Sequence, residues 1–298
     1  MILKNAEVFN GDFEKIRADV KIDGEKISKI GNFSSEDGLD LTGLVVMPGL
    51  IDMHIHGCGG ADTGDATPEA LETMSQTLAK NGVTSFCPAS MTLSFEELTK
   101  IFANIDAMKD KVGGAYIHGA NMEGPYIAMS KKGAQNPLYV RNPDKEEFKK
   151  LYEGCNGAIR VVDIAPECDG GDEFIKEIQP ICPVSIAHTD AGYDEAVHAI
   201  ELGVRHITHL FNAQSGLHHR KPGVVGAAFD VGRANGVRAE LICDGFHIHP
   251  ATLRIAFREM GEDGTVIISD SMKAAGCPDG DYDLGGQPVY VRDGKALL

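Results

Sequence analysis

The chain has 298 residues, of which 43% are hydrophobic, and it carries a formal net charge of −16 at pH 7. This length and apolar content suit one large domain, alone or with a small companion, and exclude a chain that is disordered throughout. The acidic balance argues against nonspecific binding to nucleic acid or to an anionic membrane, because such binding depends on surplus lysine and arginine. An anionic substrate would therefore need a local basic pocket.

Nothing near the N-terminus indicates export or membrane insertion. The first residues show no basic segment followed by an apolar core, and no run of about 18 apolar residues occurs in the chain. The seven cysteines are scattered and form no C-x-x-C pair, so they are expected to be reduced thiols rather than zinc ligands. Together these features predict a cytoplasmic protein.

Residues 1–43 are predicted to form the first part of a small β domain. Polar and apolar residues alternate with period two over 6–10, 16–24 and 26–31, which is the pattern of half-buried strands. The pair Asp23-Gly24 is a turn signal for a hairpin between the second and third stretches.

From residue 44 onward, apolar runs of strand length alternate with helical patterns. The eight runs span 44–56, 82–88, 115–125, 159–167, 183–188, 206–213, 238–245 and 265–271. Helices are predicted after the caps Thr67 and Ser94, and over about 144–153, 172–179, 192–202 and 250–260.

Near-continuous apolar runs are typical of parallel strands that are buried on both faces. Eight strand–crossover units over residues 44–280 therefore predict an α/β fold, a (β/α)8 TIM-type barrel. A doubly wound open sheet is the alternative, which is weakened because no G-x-G-x-x-G motif opens the first βα turn.

The region after the eighth run shows no helical period. Residues 281–298 are predicted to be short strands that return to the small β domain, which they leave incomplete. The eighth barrel helix is therefore missing from the pattern, and the chain is interpreted as C-terminally truncated. Without that helix, apolar surface on strands one and eight is expected to be exposed.

Ionisable residues close several of the apolar runs. These candidates are His54, His56, Glu123, His188, His209 and Asp270. In a barrel they would all lie on the C-terminal rim, where active sites are built. A single histidine at a strand end is more often an ordinary hydrogen-bonded residue, but six such coincidences are not expected by chance.

Four imidazoles and two carboxylates that converge in this way are typical of a transition-metal site. Nitrogen and oxygen donors suit Zn, Fe, Mn or Co, and catalytic sites keep an open position for water. Other histidines, namely His118, His198 and His206, are expected to have structural or surface roles.

Several motifs together resemble one known family. They are DMHIHGCGG at 52–60, NMEGPYI at 121–127, IAHTDAGYDEA at 186–196, THLFNA at 208–213, RKPGVVG at 220–226 and ISDSMKAAG at 268–276. In this order, over essentially the whole chain, they resemble the N-acetylglucosamine-6-phosphate deacetylases of the amidohydrolase superfamily. The resemblance implies hydrolysis of the acetamide of N-acetylglucosamine 6-phosphate to glucosamine 6-phosphate and acetate, with a metal-bound hydroxide as nucleophile.

The resemblance also implies the ligands of the metal. Glu123, His188 and His209 would hold the main ion, and His54 and His56 a second ion that is bridged through Glu123. One or two divalent ions per subunit are expected, with zinc as the first choice and Fe, Mn or Co as alternatives.

The resemblance further implies residues that act on the substrate. Asp270 would be the general base and acid, and Asn212, Ala213 and His247 would contact the sugar phosphate. Arg220, in the basic tetrad HHRK at 218–221, would bind the phosphate, in some relatives across the interface of a homodimer.

One position departs from the family pattern. Several family members have a histidine in the segment KKGxH, whereas this chain has Gln135 there. Glutamine donates a hydrogen bond but does not titrate, so the sugar preference at this substrate-binding position stays open. The alternatives are a deacetylase of N-acetylgalactosamine 6-phosphate or of another N-acyl compound, and an inactive, metal-binding, truncated fragment.

Overall fold

The computed structural model of the chain describes residues 1–33 and 37–297. Contacts divide the chain into two units, Met1–Leu50 and Ile51–Leu298. The sequence analysis places the boundary slightly earlier, at 43/44. None of the described helices is long and apolar enough to cross a membrane.

The N-terminal unit is a five-stranded sheet. Its strands are β1 (Ile2–Phe9), β2 (Lys15–Asp23), β3 (Lys26–Gly31), β4 (Leu39–Asp40) and β5 (Val45–Val46). β1 and β3 pair antiparallel with β2, whereas β4 and β5 pair parallel with β1. The predicted hairpin is present, with Gly24 at a φ of +62° in its turn, and Ala6, Val8 and Val20 form the buried core of the sheet.

The second unit contains the barrel strands. They are β6 (Leu50–Ile55), β9 (Val83–Pro88), β10 (Tyr116–Ile117) with β11 (Ala120–Tyr126), β12 (Ile159–Ile164), β13 (Val184–Ile186), β14 (His206–Ile207), β15 (Arg238–Ile242) and β16 (Thr265–Ile268). A short hairpin of β7 (Gly57–Cys58) and β8 (Ala61–Asp62) follows β6. Neighbouring strands from β11 to β16 all pair in parallel.

Contacts at two seams join these strands into a barrel. Ala89, which follows β9, forms a parallel bridge with Asn121 in β11. At the other seam, the amide of Asp270 donates to the carbonyl of His54 over 3.0 Å, so the end of the eighth strand position meets the first. The predicted (β/α)8 barrel is therefore confirmed, and the open-sheet alternative is wrong.

Seven helices cover the barrel in the described ranges. They are α1 (Pro68–Lys80), α2 (Phe95–Met108), α3 (Lys145–Gly154), α4 (Gly171–Ile178), α5 (Tyr193–Glu201), α6 (Gly223–Ala227) and α7 (Pro250–Met260). Thr67 caps α1 and Ser94 forms a capping box with Glu97 at the start of α2, as the sequence predicts. The short α6 was not predicted, because glycines weaken its helical pattern, whereas burial of Val224 and Val225 stabilises it.

The chain after β16 forms a separate small sheet. β17 (Gly280–Leu284), β18 (Gln287–Arg292) and β19 (Lys295–Leu297) pair antiparallel with one another. Gly285 and Gly286, both at positive φ, form the tight turn between β17 and β18, so that pairing stays local. Val289 and Val291 are buried on one face of this sheet. The sequence analysis expects 281–298 to form short strands that return to the small β domain; the short strands are present, and their return to that domain stays a prediction.

In the described part of the chain, apolar side chains on the outer wall of the barrel are exposed at β6 and β16. No helix follows β16 in the described residues, and the side chains of Ile51 in β6 and Ile267 in β16 are 60% and 59% exposed. By contrast, Ile164 in β12 is fully buried. The exposed apolar surface on strands one and eight that the sequence predicts is therefore present.

Candidate metal centre and substrate cavity

The six polar residues from the strand ends meet at the C-terminal rim of the barrel. His54 and Glu123 lie within strands β6 and β11, and the other four lie just beyond strand ends. His188, His209 and Asp270 adopt positive φ angles of 41°, 30° and 47°. Residues other than glycine rarely adopt this conformation, and such residues cluster at functional sites.

Glu123 is at the centre of the cluster. Its Oε1 lies 2.8 Å from Nε2 of His209 and 3.0 Å from Nε2 of His188. The same oxygen is 3.6 Å from Nε2 of His54, and Oε2 is 3.2 Å from Nε2 of His56. One carboxylate therefore faces four imidazole nitrogens from both sides of the barrel mouth.

Asp270 faces His54 and His56 from the eighth strand position. Its Oδ1 lies 3.3 Å from Nε2 of His56 and 3.6 Å from Nε2 of His54. The atoms form two groups that share Glu123, namely His54 with His56 and His188 with His209, and each group lies within 4.8 Å. Two neighbouring metal ions that share one carboxylate ligand would need this arrangement.

The donor set fits a divalent metal. Nε2 of His54 is buried and has no hydrogen-bond partner, so a lone pair there is available to a cation. Such an orphaned buried nitrogen is costly unless something else satisfies it. Imidazole nitrogens with carboxylate oxygens are the ligands that zinc and neighbouring transition metals take in catalytic sites.

The electrostatics of the cluster favour a bound positive charge. Burial by itself would lower the pKa of His56, but the charges of Glu123 and Asp270 raise it to about 10. Burial by itself would raise the pKa of Glu123, but the positive charges of His188 and His56 hold it well below its usual range. The pKa of Asp270 is lowered as well, so both carboxylates are held ionised within the cluster.

Two of the rings are oriented by hydrogen bonds on their other nitrogen. Nδ1 of His188 lies 2.8 Å from the carbonyl oxygen of Lys131, and Nδ1 of His54 lies 3.0 Å from Oε2 of Glu240. Such contacts fix which nitrogen faces a metal. Glu240 was missed in the sequence analysis, although a lone glutamate inside the apolar run 238–245 is a signal that could have indicated it.

A second residue that the sequence analysis missed is Asp52, which lies at the seam of the barrel. Its Oδ2 accepts a 2.5 Å hydrogen bond from Oγ of Ser269, and its Oδ1 accepts from the backbone amides of Ser269 and His54. Asp52 thus ties the first strand to the eighth beside His54 and Asp270. Its position at the start of the DMHIH motif was the available signal.

Gln135 is held inside the cluster by both ends of its amide. Its Oε1 accepts a 2.6 Å hydrogen bond from the amide of Thr92, so its Nε2 must point the other way. That Nε2 donates to Oε2 of Glu123 over 2.5 Å. The residue expected to contact the sugar therefore contacts the central carboxylate.

A cavity of about 730 Å³ opens onto the cluster. The predicted residues that line it are His56, Glu123, Gln135, His188, His209, Asn212, Ala213, His247 and Asp270. Residues of β17–β19 form part of its wall, among them Leu284, Val289 and Lys295. Arg220 is exposed on its loop and is not among the lining residues.

Comparison with known proteins shows the family of the chain. The model of the amidohydrolase family matches residues 45–281. The chain is 39% identical over 259 residues to an N-acetylglucosamine-6-phosphate deacetylase of Bacillus subtilis (strain 168), with 85% of this chain and 65% of the relative covered. It is 35% identical to an N-acetylglucosamine-6-phosphate deacetylase of Lysinibacillus sphaericus, with 100% of this chain and 78% of the relative covered.

Solved structures are similar as well. The N-acetyl-D-glucosamine-6-phosphate deacetylase of Mycobacterium smegmatis, in complex with N-acetyl-D-glucosamine-6-phosphate, superposes with a TM-score of 0.91 at 29% identity; the match covers 100% of this chain and 77% of that one. The Pasteurella multocida enzyme of the same name gives a TM-score of 0.91 at 29% identity, and the match covers 99% of this chain and 78% of that one. The chain thus spans about two thirds to four fifths of the length of these relatives. It belongs to the amidohydrolase family, within the group of N-acetylglucosamine-6-phosphate deacetylases.

Proposed function

We propose that this protein hydrolyses the acetamide of N-acetylglucosamine 6-phosphate to glucosamine 6-phosphate and acetate, with the help of a divalent metal. The observation that carries the proposal is the position of Asp270. Its partly buried carboxylate lies between two candidate ligand rings at the wall of the cavity, 3.3 Å and 3.6 Å from their Nε2 atoms.

The reaction needs an attacking water, a polarised acyl oxygen and a proton for the leaving nitrogen. A divalent metal, when bound by His54, His56, Glu123, His188 and His209, supplies a Lewis acid for the acyl oxygen and lowers the pKa of water. We propose zinc, with one or two ions per subunit, because the donors are nitrogen and oxygen and the two ligand groups share Glu123.

Asp270 carries the proton in this proposal. Burial alone would raise its pKa, but the positive charge of His54 and a hydrogen bond from His56 lower it, so the group begins as a base. It accepts the proton of the water that attacks the acyl carbon, and donates it to the nitrogen as the C–N bond breaks. The products are then a free amine on the sugar and acetate.

The phosphate would be bound at the outer part of the site. His247, which lines the cavity, has its Nδ1 2.7 Å from Oδ2 of Asp244. Asn212 and Ala213 line the cavity too, and we propose that all three contact the sugar phosphate. Arg220 is exposed, so we propose that it reaches the cavity of a second copy in a homodimer.

Replacement of Arg220 by alanine is expected to weaken binding of the phosphorylated sugar. The value of KM for N-acetylglucosamine 6-phosphate should rise, because a guanidinium binds phosphate through two hydrogen bonds. The matched control is Arg254→Ala on α7. An equal effect of Arg220→Ala on unphosphorylated N-acetylglucosamine would contradict the assignment.

N-acetylgalactosamine 6-phosphate is the second candidate substrate. An N-acetylgalactosamine-6-phosphate deacetylase of Escherichia coli O157:H7 is 34% identical to this chain over 252 residues. A panel of both phosphorylated sugars and unphosphorylated N-acetylglucosamine, assayed for acetate release by the zinc-loaded chain, tests the two proposals. Preference for the gluco isomer supports the main proposal, and preference for the galacto isomer supports the second. Release from neither sugar phosphate contradicts both and would favour a metal-binding protein without this activity.

A further inference from the structure

Glu240 is a buried carboxylate in the interior of the barrel. It lies in β15 between Ala239 and Leu241, and its side chain is fully buried. Because it contacts His54 in β6, which is not a neighbour of β15 in the sheet, the side chain points into the barrel. An uncompensated charge at such a place is strongly destabilising, so the carboxylate needs partners that stabilise it.

The contacts of Glu240 are with histidines of the candidate metal centre. Its Oε2 lies 3.0 Å from Nδ1 of His54, and the same oxygen accepts a 3.1 Å hydrogen bond from the backbone amide of His209. Its Oε1 lies 3.4 Å from Nε2 of His206, a buried ring that was expected to be merely structural. Oε2 of Glu240 therefore contacts one residue from each of the two ligand groups, His54 and His209.

We propose that Glu240 is a positioning residue that fixes the tautomer of His54. A carboxylate only accepts hydrogen bonds, so the proton of the neutral ring must be on Nδ1 and the lone pair on Nε2. Nε2 is the nitrogen that lies 3.6 Å from both Glu123 and Asp270 and has no hydrogen-bond partner. Glu240 thereby prepares His54 to bind a metal ion, an inference that rests on the proposed metal-dependent function.

The glutamine variant Glu240→Gln tests this role with little change of shape. An amide can donate as well as accept, so it also stabilises the opposite tautomer, in which the proton blocks Nε2. Loss of a carboxylate that orients a ligating histidine typically weakens metal binding by about 10–100-fold. We expect this loss for Zn²⁺, measured on the full chain as zinc retained against a graded series of chelator concentrations.

Asp163→Asn is the matched control. Asp163 in β12 is also fully buried in the barrel, but it accepts a hydrogen bond from the hydroxyl of Thr208, over 2.8 Å, and not from a ligand ring. Its replacement by asparagine should leave Zn²⁺ affinity within about threefold of the wild type. If both variants lose zinc equally, the effect follows from altering any buried carboxyl group of the barrel, and the role of Glu240 is overturned.

A double-mutant cycle separates action through His54 from any other cause. In the His54→Ala background, Glu240→Gln should cost less than about threefold in zinc affinity, because the ring that it orients is gone. A full additional 10–100-fold loss there would overturn the proposal. Nitrogen-15 spectra of the zinc-loaded wild type are expected to show a protonated Nδ1 in His54, and a proton on Nε2 would also overturn it, even if the variant fails to fold.

The outcomes distinguish this inference from the proposed function. If the wild-type chain binds no Zn²⁺, the metal-dependent function fails and the inference fails with it. If the wild type binds Zn²⁺ and releases acetate while Glu240→Gln retains the same affinity, only the role of Glu240 is overturned.

Discussion

The same two strands, β6 and β16, carry both an enclosed part and an exposed part of the barrel. At their C-terminal ends, His54 is fully buried and the seam is closed by hydrogen bonds of Asp52 and Asp270. On their outer face, Ile51 and Ile267 are more than half exposed. The comparison teaches that the geometry of the site depends on closure of the strands rather than on the helical layer outside them. Changes to one region should therefore leave the other largely intact.

The largest expected effect is on catalysis. Asp270→Asn should lower kcat by about 10²–10⁴-fold, the range for a general acid–base group, while zinc content and Tm stay close to those of the wild type. The measurement is steady-state acetate release together with thermal unfolding. Asp172→Asn on the exposed surface of α4 is the control and should retain full activity; near-normal kcat for Asp270→Asn would contradict the proton-transfer role.

The covered and uncovered walls can be compared with the same substitution. Ile164→Ala in β12 removes a fully buried side chain and should lower the free energy of unfolding by about 2–5 kcal/mol. Ile267→Ala on the open wall should cost less than about 1 kcal/mol, because its side chain is already largely in water. Chemical denaturation of both variants checks this. Equal losses would show that something covers the wall of β16.

Metal removal should destabilise the enclosed region. A ligand present at 100 times its dissociation constant adds about 2.7 kcal/mol to the free energy of unfolding. For a chain of 298 residues, stripping Zn²⁺ should therefore lower Tm by roughly 4 °C. His188→Ala, which removes one of the candidate ligands, should show a smaller shift on zinc addition. An identical Tm with and without zinc in the wild type would contradict a metal bound in the folded site.

The smallest effect concerns the seam that links the two regions. Ser269→Ala removes the hydroxyl that donates to Asp52 and should cost about 1–3 kcal/mol, because a buried carboxylate loses a partner. Ser28→Ala, whose hydroxyl donates to a carbonyl at the exposed surface, is the control and should change stability by less than about 0.5 kcal/mol. Equal effects in urea denaturation would show that closure does not depend on this contact.

The sequence predicted the barrel because parallel strands that are buried on both faces leave apolar runs that end in polar residues. The helix caps at Thr67 and Ser94 were predictable for a similar reason, since capping is a local interaction. By contrast, the contact of Glu240 with His54 joins positions that are 186 residues apart, and no local pattern encodes it. The same holds for Gln135, whose amide is oriented by Thr92, and for β17–β19, whose pairing partner depends on tertiary packing.

Metal content and activity measured together test the central claim most directly. The purified chain is stripped of metal, Zn²⁺ is added back stepwise, and bound zinc and acetate release from N-acetylglucosamine 6-phosphate are followed in the same samples. We expect acetate release to rise with zinc bound and to be about 10²–10⁴-fold slower in Asp270→Asn at equal zinc content. Full zinc binding without acetate release, or release that is independent of zinc, would contradict the proposed metal-dependent deacetylase.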